Sequence, residues 1–257
     1  QLGFNGARLH EKMFEPRFLY HCDKAGYLVW GEHANWGLDI NREGSLLNFL
    51  PEWSETVERD FNHPAIIGWC PFNETWDQPN QAAHRILRAV YDETKRLDPT
   101  RPVIDVSGSL HEITDIYDQH DYDQNPESFG KSYAGYNGEK ESFNLSFKDK
   151  QVYIPHLPFF LSEFGGIKWI PESNRSSAAD NSWGYGDAPA TEEEFFTRYE
   201  GLTAALLNAP NIMGFCYTQL YDVEQEKNGL YDYDRNPKFA AEDIAKINRQ
   251  PAAIEKE

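Results

Sequence analysis

Two glutamates, Glu74 and Glu163, each close a short apolar run. Ile66, Ile67, Gly68, Trp69, Cys70 and Phe72 make up the first run, which gives way abruptly to Asn73-Glu74-Thr75-Trp76. Leu157 to Leu161 make up the second, which ends in Ser162-Glu163-Phe164-Gly165-Gly166. Short continuous apolar runs read as strands buried on both faces, as in a parallel sheet covered by helices. The C-terminal end of such a strand is where β/α barrels carry their active sites. A carboxyl placed there can transfer a proton or attack an electrophile. It can equally be an N-cap or a strand-end ion pair. Only the fold could bring together two carboxyls so far apart in the sequence.

The elements that must position them alternate. Gly6 to Leu9 reads as a strand with Arg8 and His10 at its end. Pro16 opens a helix with Phe18, Leu19, Cys22 and Ala25 on one face, and Gly26 stops it. Tyr27 to Trp30 is a buried strand with Glu32 and His33 at its end, and Pro51 opens a second helix with Trp53, Val57 and Phe61 at four-residue spacing. Residues 79–97 spell a helix whose apolar face includes Ala83, Ile86, Leu87, Val90, Tyr91 and Leu97. Pro102 to Val106, Ile116 to Asp121 and Ile212 to Tyr217 read as further strands. Asp115, Asp118, Asp121 and Asp123 crowd one strand end and read mostly as a solvated loop. Residues 124–150 are polar and rich in Gly, Ser and Asn, and read as a long loop; 165–190 is a second, with Trp169, Trp183 and Tyr185. Thr191-Glu-Glu-Glu194 is a capping box for a helix that buries Phe195, Phe196, Tyr199, Leu202 and Leu206. A tail helix carries Ala240, Ala241, Ile244 and Ile247. This alternation implies parallel strands with right-handed crossovers, in one domain over 1–257.

A barrel of this kind commonly runs to about 250 residues, and the chain has 257, with 40% hydrophobic residues. The net charge of −18 argues against a nucleic-acid partner, because such binding neutralises phosphates with Lys and Arg. No run approaches the roughly 20 apolar residues of a membrane span. QLGFNGARLHEK lacks the form of a signal peptide, and the expectation leans to a cytoplasmic protein. Cys22, Cys70 and Cys216 each lie in an apolar context at spacings that match no metal motif, and read as free core thiols. No cofactor or metal is expected. The sequons at Asn73, Asn144 and Asn174 read as chance.

RDFNHP, an apolar strand and then Asn-Glu resemble the acid/base strand of glycoside hydrolase family 2, the group of β-galactosidases, β-glucuronidases and β-mannosidases. PFFLSEFGG resembles the strand that carries that family's nucleophile. An N-terminal piece, GFNGARLH followed by Pro16 and CDKAGYLVWGE with its following His, and a closing piece, YTQLYDVEQEKNGLYDYDRNPK, add two more similar segments, so the resemblance covers nearly the whole chain. It implies a (β/α)8 TIM barrel acting on carbohydrate, with Glu74 as acid/base and Glu163 as nucleophile. It also implies substrate contacts from Arg8, His10, His33, Asn73, Tyr122 and Tyr217. Within it Asn73 takes the sugar 2-hydroxyl, and Arg8 and Tyr122 hold Glu163. The long 165–190 loop, apart from the resemblance, reads as an aromatic shelf for a sugar ring, with Trp169 as a further candidate substrate contact. Arg8 also reads as a structural ion pair with Glu32 or Glu74, the two histidines as hydrogen-bonded loop residues, and Trp169 as a loop anchor. Aligned this way, Gly6–Leu9 is the family's second strand. The first strand, the upstream sugar-binding jelly roll and the immunoglobulin-like sandwich are then expected to be missing from this piece of a longer protein. Its open edge would favour homo-oligomers.

The departures concern substrate. Glucuronidases of the family carry Asn-x-Lys where this chain has Glu226-Lys227-Asn228, which disfavours glucuronides. The metal-binding Glu-x-His of large β-galactosidases has no clear counterpart, and the usual strand-eight Trp is Tyr217. The resemblance therefore implies a retaining β-glycosidase, β-galactosidase-like, using two carboxyls about 5–5.5 Å apart. A non-catalytic carbohydrate-binding barrel and an endo-acting glycanase such as a mannanase are the alternatives.

Overall fold

The computed structural model describes residues 1–75, 80–139, 151, 153–171 and 181–256. The expectations for Trp76, for the sequons at Asn144 and Asn174, and for the loops over 140–150 and 172–180 lie outside the described residues. The chain divides into two compact units, one of residues 5–119 with 138–160, the other of 1–4, 120–137 and 161–257.

The unit containing 5–119 opens β1 (Gly6–Arg8), α1 (Pro16–Ala25), β2 (Leu28–Glu32), α2 (Leu46–Asp60), β3 (Ile66–Cys70), β4 (Phe72–Asn73), α3 (Gln81–Leu97) and β5 (Val106–Ser107). β1, β2 and β3 form a parallel sheet in that order, and β4 pairs in parallel with β5, Asn73 opposite Ser107. The single apolar run read from sequence is therefore two strands. Pro71, which has no N–H for a ladder, stands between them. Across β2 and β3, Trp30 lies over Gly68 and Trp69 over Gly31, so a Cβ at either glycine would run into the facing indole. The core beneath holds Trp53, Val57, Trp69, Phe72, Ile86, Leu87 and Val90. Its two deepest indoles are satisfied: Trp53 Nε1 donates to Thr94 Oγ1 at 2.7 Å and Trp69 Nε1 to Asp98 Oδ2 at 2.9 Å.

Local signals account for most helix ends. Pro16 sits in the first turn of α1, and Gly26 closes it at φ 64°. Asn80 caps α3, its side chain accepting from the N–H groups of Ala82 and Ala83. Pro51 departs from expectation. It lies inside α2, which already begins at Leu46 after a short 3-10 turn over Glu43–Ser45.

The other unit carries β6 (Tyr117–Asp121) from its His120 onward, α4 (Pro126–Ala134), β7 (Phe159–Gly165) from Leu161 onward, α5 (Glu192–Leu207), β8 (Ile212–Thr218) and α6 (Ala241–Asn248). The strands β6, β7 and β8 form one sheet in that order. The loop expected over 124–150 contains α4. Asn125 caps it, Pro126 starts it, and Phe129 and Tyr133, one turn apart, are buried. β7 runs past Leu161 and takes in Glu163 and Gly165. At the head of α5, Thr191 Oγ1 accepts from Glu194 N at 3.1 Å, while Glu194 reaches back to Ala190 N at 2.7 Å. Among the described residues no helix is long and apolar enough to cross a membrane.

Candidate active site

In the unit containing 5–119, the chemistry-bearing residues gather at the C-terminal ends of β1, β2 and β4. Glu74 follows β4 directly. It is half-buried and has φ 42°, in the left-handed region where a residue with a Cβ is uncommon. Its N–H donates to the Ser107 carbonyl at 2.9 Å, so β5 holds the backbone in that conformation. Asn73 is fully buried. The Asn35 amide grips its backbone from both sides: Asn35 Oδ1 accepts from Asn73 N at 2.6 Å and Asn35 Nδ2 donates to Asn73 O at 2.9 Å. The Asn73 Oδ1 atom accepts from Arg8 Nη2 at 2.5 Å. Its Nδ2 has no hydrogen-bond partner and is buried.

Arg8 makes a two-pronged pair with Glu32, Nε to Oε2 at 2.7 Å and Nη2 to Oε1 at 2.9 Å, with both side chains buried. A buried carboxylate in this position needs such a partner, and the planar fork of Arg supplies it. Arg8 thus ties β1, β2 and β4 together through Glu32 and Asn73. His10 lies 3.7 Å from Glu32 and meets the Trp36 ring edge-on at 5.8 Å. Trp36 is 59% exposed, yet its backbone is fixed, since Glu11 Oε2 accepts from the N–H groups of both Asn35 and Trp36 at 3.0 Å. Burial raises the Glu11 carboxyl from its ordinary range, and these two N–H donors oppose that rise. His33 faces inward instead. It packs on Phe49 and Trp53, with Nδ1 2.8 Å from the Ala34 carbonyl and Nε2 3.6 Å from Glu52.

In the unit containing 161–257, Glu163 is only 9% exposed near the end of β7. The Tyr122 hydroxyl donates to its Oε2, and His120 Nδ1 stands 3.4 Å from the same oxygen. Tyr122 lies flat against Tyr185 at a ring separation of 3.4 Å. Burial and then the nearby Glu163 charge push the Tyr122 phenol well above its ordinary value, so it is a proton donor throughout the neutral range. Gly165 and Gly166 follow at φ 80° and 64°. A Cβ would strike Tyr217 at the first and Tyr185 at the second. Tyr217 is buried against Phe164 and Tyr199, and its hydroxyl accepts from Ile167 N at 3.2 Å. Trp169 is buried on Phe195 and Phe239, and its carbonyl accepts from Lys238 Nζ at 2.7 Å. It is placed as a loop anchor. The buried Lys238–Asp222 pair, at 2.6 Å, secures the same segment. Half-buried Glu226 accepts from Asn228 Nδ2 at 2.9 Å. Its carboxyl is raised by burial, and the Glu163 charge adds to the rise against the Asn228 and Gln219 hydrogen bonds.

Sequence reasoning did not find Glu11, Asn35, Trp36 or Ser107, whose work is to fix backbone or present a ring, and no motif marks them. Asp118, read as solvated, is buried. Asp121 accepts from the Tyr133 hydroxyl and Asp115 from Tyr91, so neither belongs to a loose acidic loop.

Parallel strands alternating with helices, with carboxyls at strand ends, are the pattern of a β/α barrel. Residues 1–165 match the family model "Glycosyl hydrolases family 2, TIM barrel domain", and the chain belongs to that family. It is 35% identical over 111 residues to the beta-glucuronidase of Chlorocebus aethiops, a match covering 42% of this chain and 17% of that protein. The corresponding figure for the beta-glucuronidase of Homo sapiens is 34% over 111 residues. Among solved structures, an FMN-binding beta-glucuronidase from Facaelibacterium prausnitzii L2-6 superposes with a TM-score of 0.73 at 19% identity, covering 97% of this chain and 39% of that one. A family 2 beta-galacturonidase from Eisenbergiella tayi bound to galacturonate gives 0.69 at 21%, covering 96% and 45%. The chain thus spans less than half the length of these solved relatives, and the likeness carries the fold alone.

Proposed function

We propose that this chain is the catalytic domain of a retaining β-glycosidase, with Glu163 as nucleophile and Glu74 as acid/base. The observation that carries the reading is the setting of Glu163, a buried carboxyl at the end of β7 that accepts from the Tyr122 hydroxyl. An acetal is inert at neutral pH until its leaving oxygen is protonated and the oxocarbenium-like transition state is stabilised. In this reading Glu163 attacks the anomeric carbon, and Glu74 protonates the departing oxygen and then takes a proton from the incoming water. The unpartnered Nδ2 of Asn73 is the donor offered to the sugar 2-hydroxyl. The separation of the two carboxyls decides the stereochemistry. About 5–5.5 Å in a crystal structure fits retention, and about 9 Å would mean inversion.

Within this proposal the sugar is neutral, with a β-galactoside as the first candidate. The support is Glu226, whose acidic side chain stands within electrostatic reach of Glu163 and would repel a substrate carboxylate. A β-uronide is the second reading, favoured by the names of the relatives, which are glucuronidases and a galacturonidase. A panel of nitrophenyl β-glycosides, run on the longest natural chain that carries this sequence, tests both. Faster hydrolysis of the glucuronide or galacturonide than of the matching neutral sugar would overturn the first. No release from any member, together with cleavage of β-mannan oligosaccharides, would point to an endo-acting glycanase. Sugar binding without any cleavage would point to a non-catalytic barrel.

A further inference from the structure

Behind Glu74 lies a buried charged cluster that the proposed chemistry does not use. His111 is almost wholly buried. Its Nδ1 stands 2.7 Å from Asp105 Oδ1, and its Nε2 stands 3.0 Å from Asp118 Oδ1. A neutral imidazole can donate from only one nitrogen and would turn a lone pair toward one of these carboxylates. The imidazolium donates to both, and the two carboxylates outweigh the Asp118 N–H that also points at Nε2, from the longer distance of 3.3 Å. Both aspartates also accept hydrogen bonds from the 106–108 stretch, and Asp105 from residues 112 and 113 as well. Asp105 accepts from Val106 N at 2.9 Å, Glu112 N at 2.7 Å and Ile113 N at 3.0 Å. Asp118 accepts from the Ser107 hydroxyl at 2.6 Å and from Gly108 N at 3.2 Å. The cluster therefore grips Val106, Ser107 and Gly108 from both sides. Ser107 is also the residue paired with Asn73, and its carbonyl accepts the Glu74 N–H at 2.9 Å.

We propose that His111 is a positioning residue for Glu74: clamped between Asp105 and Asp118, its imidazolium fixes the 106–108 backbone, and the Ser107 carbonyl in turn holds Glu74 in its left-handed conformation. A single hydrogen bond to a flexible loop would let Glu74 relax to an ordinary φ. A carbonyl anchored by two buried carboxylates, themselves neutralised by one cation, does not yield in this way. Burial alone would lower the His111 pKa, but the two aspartates outweigh it and raise it to about 10, so the clamp is closed across the neutral range.

The inference rests on the reading of Glu74 as acid/base, and its test separates the two. In the longest natural chain carrying this sequence, His111→Gln and Ser107→Ala are compared with wild type and with Glu74→Ala. The substrates are phenyl and 2,4-dinitrophenyl β-glycosides of the sugar that chain accepts. Phenoxide needs protonation to leave and dinitrophenoxide does not. A misplaced acid should lower kcat/KM for the phenyl glycoside by about 10- to 100-fold while the dinitrophenyl value stays within about threefold. Ser107→Ala, which cuts one link and leaves the ion cluster whole, should show the same split more weakly. An equal fall on both substrates would mean general loss of structure and would overturn the inference. If Glu74→Ala shows the split and His111→Gln does not, this inference alone fails. If Glu74→Ala shows no split, the acid/base reading fails, and a crystal structure of His111→Gln still decides the positioning. A shifted Glu74 φ or a broken Ser107–Glu74 hydrogen bond supports it, and an unchanged one overturns it.

Discussion

The two glutamates have different surroundings, and under the proposal their variants should behave differently. Glu163 accepts from Tyr122 and has His120 beside it, groups suited to keeping a carboxylate charged and aimed. Glu163→Ala should lose turnover of every substrate, and added azide should then give the α-glycosyl azide. Glu74→Ala should still release good leaving groups and accumulate its intermediate. Azide, which needs no deprotonation, should restore turnover and give the β product; product analysis by NMR reads both outcomes. Tyr122→Phe removes one hydrogen bond to a buried charge, and kcat/KM should fall by about 10- to 100-fold, with the fall measured against an unchanged Tm. The strand-end placement of Glu74 and Glu163 was legible because a carboxylate ending a buried run is conspicuous, while the roles proposed for them come from the family resemblance. For Arg8 the structural reading is the one realised, in the Glu32 pair. Glu11, Asn35 and His111 were not legible. Their partners are backbone groups or distant aspartates, and such contacts leave no pattern in a linear sequence.

Among the elements, β7 carries the sharpest constraint. Gly165 and Gly166 turn the chain with positive φ in the space that Tyr217 and Tyr185 leave. Gly166→Ala meets both the φ penalty and the Tyr185 ring, and should cost about 2–3 kcal/mol of stability, measured by urea unfolding. The cap of α3 is a milder case. Asn80→Ala loses both of its side-chain hydrogen bonds to the first turn and should cost about 1 kcal/mol. Helix ends marked by Pro16, Gly26 and Thr191 were readable because capping is local chemistry. α4 was missed because Gly, Ser and Lys separate its two buried rings and mask the one-turn spacing. Pro51 misled for a related reason, since proline favours a first turn but does not identify one.

For the molecule as a whole, the His111 cluster links stability to pH. A histidine raised from 6.5 to about 10 in the fold contributes stability that is fully present below pH 6.5 and lost as pH rises through about 10. The Tm should therefore decline between pH 7 and 10 in wild type. In His111→Gln it should start lower and decline less over the same window, as calorimetry at several pH values would show. With a net charge of −18, general repulsion also grows with pH, so the difference between the two curves is the informative quantity.

Trp36 has a practical consequence in optical spectroscopy. Among the described residues it and Trp183 are the exposed indoles, at 59% and 46%, while Trp30, Trp53, Trp69 and Trp169 are buried. Acrylamide should quench the red-shifted part of the emission first, leaving a blue-shifted remainder from the core. Trp183→Phe would then make Trp36 the principal described emitter open to quencher. Because Glu11 fixes its backbone, a change in its quenching constant on adding a glycoside would report occupancy beside the ring. Under the proposed function, this indole would serve as an intrinsic binding signal, with no dye to attach.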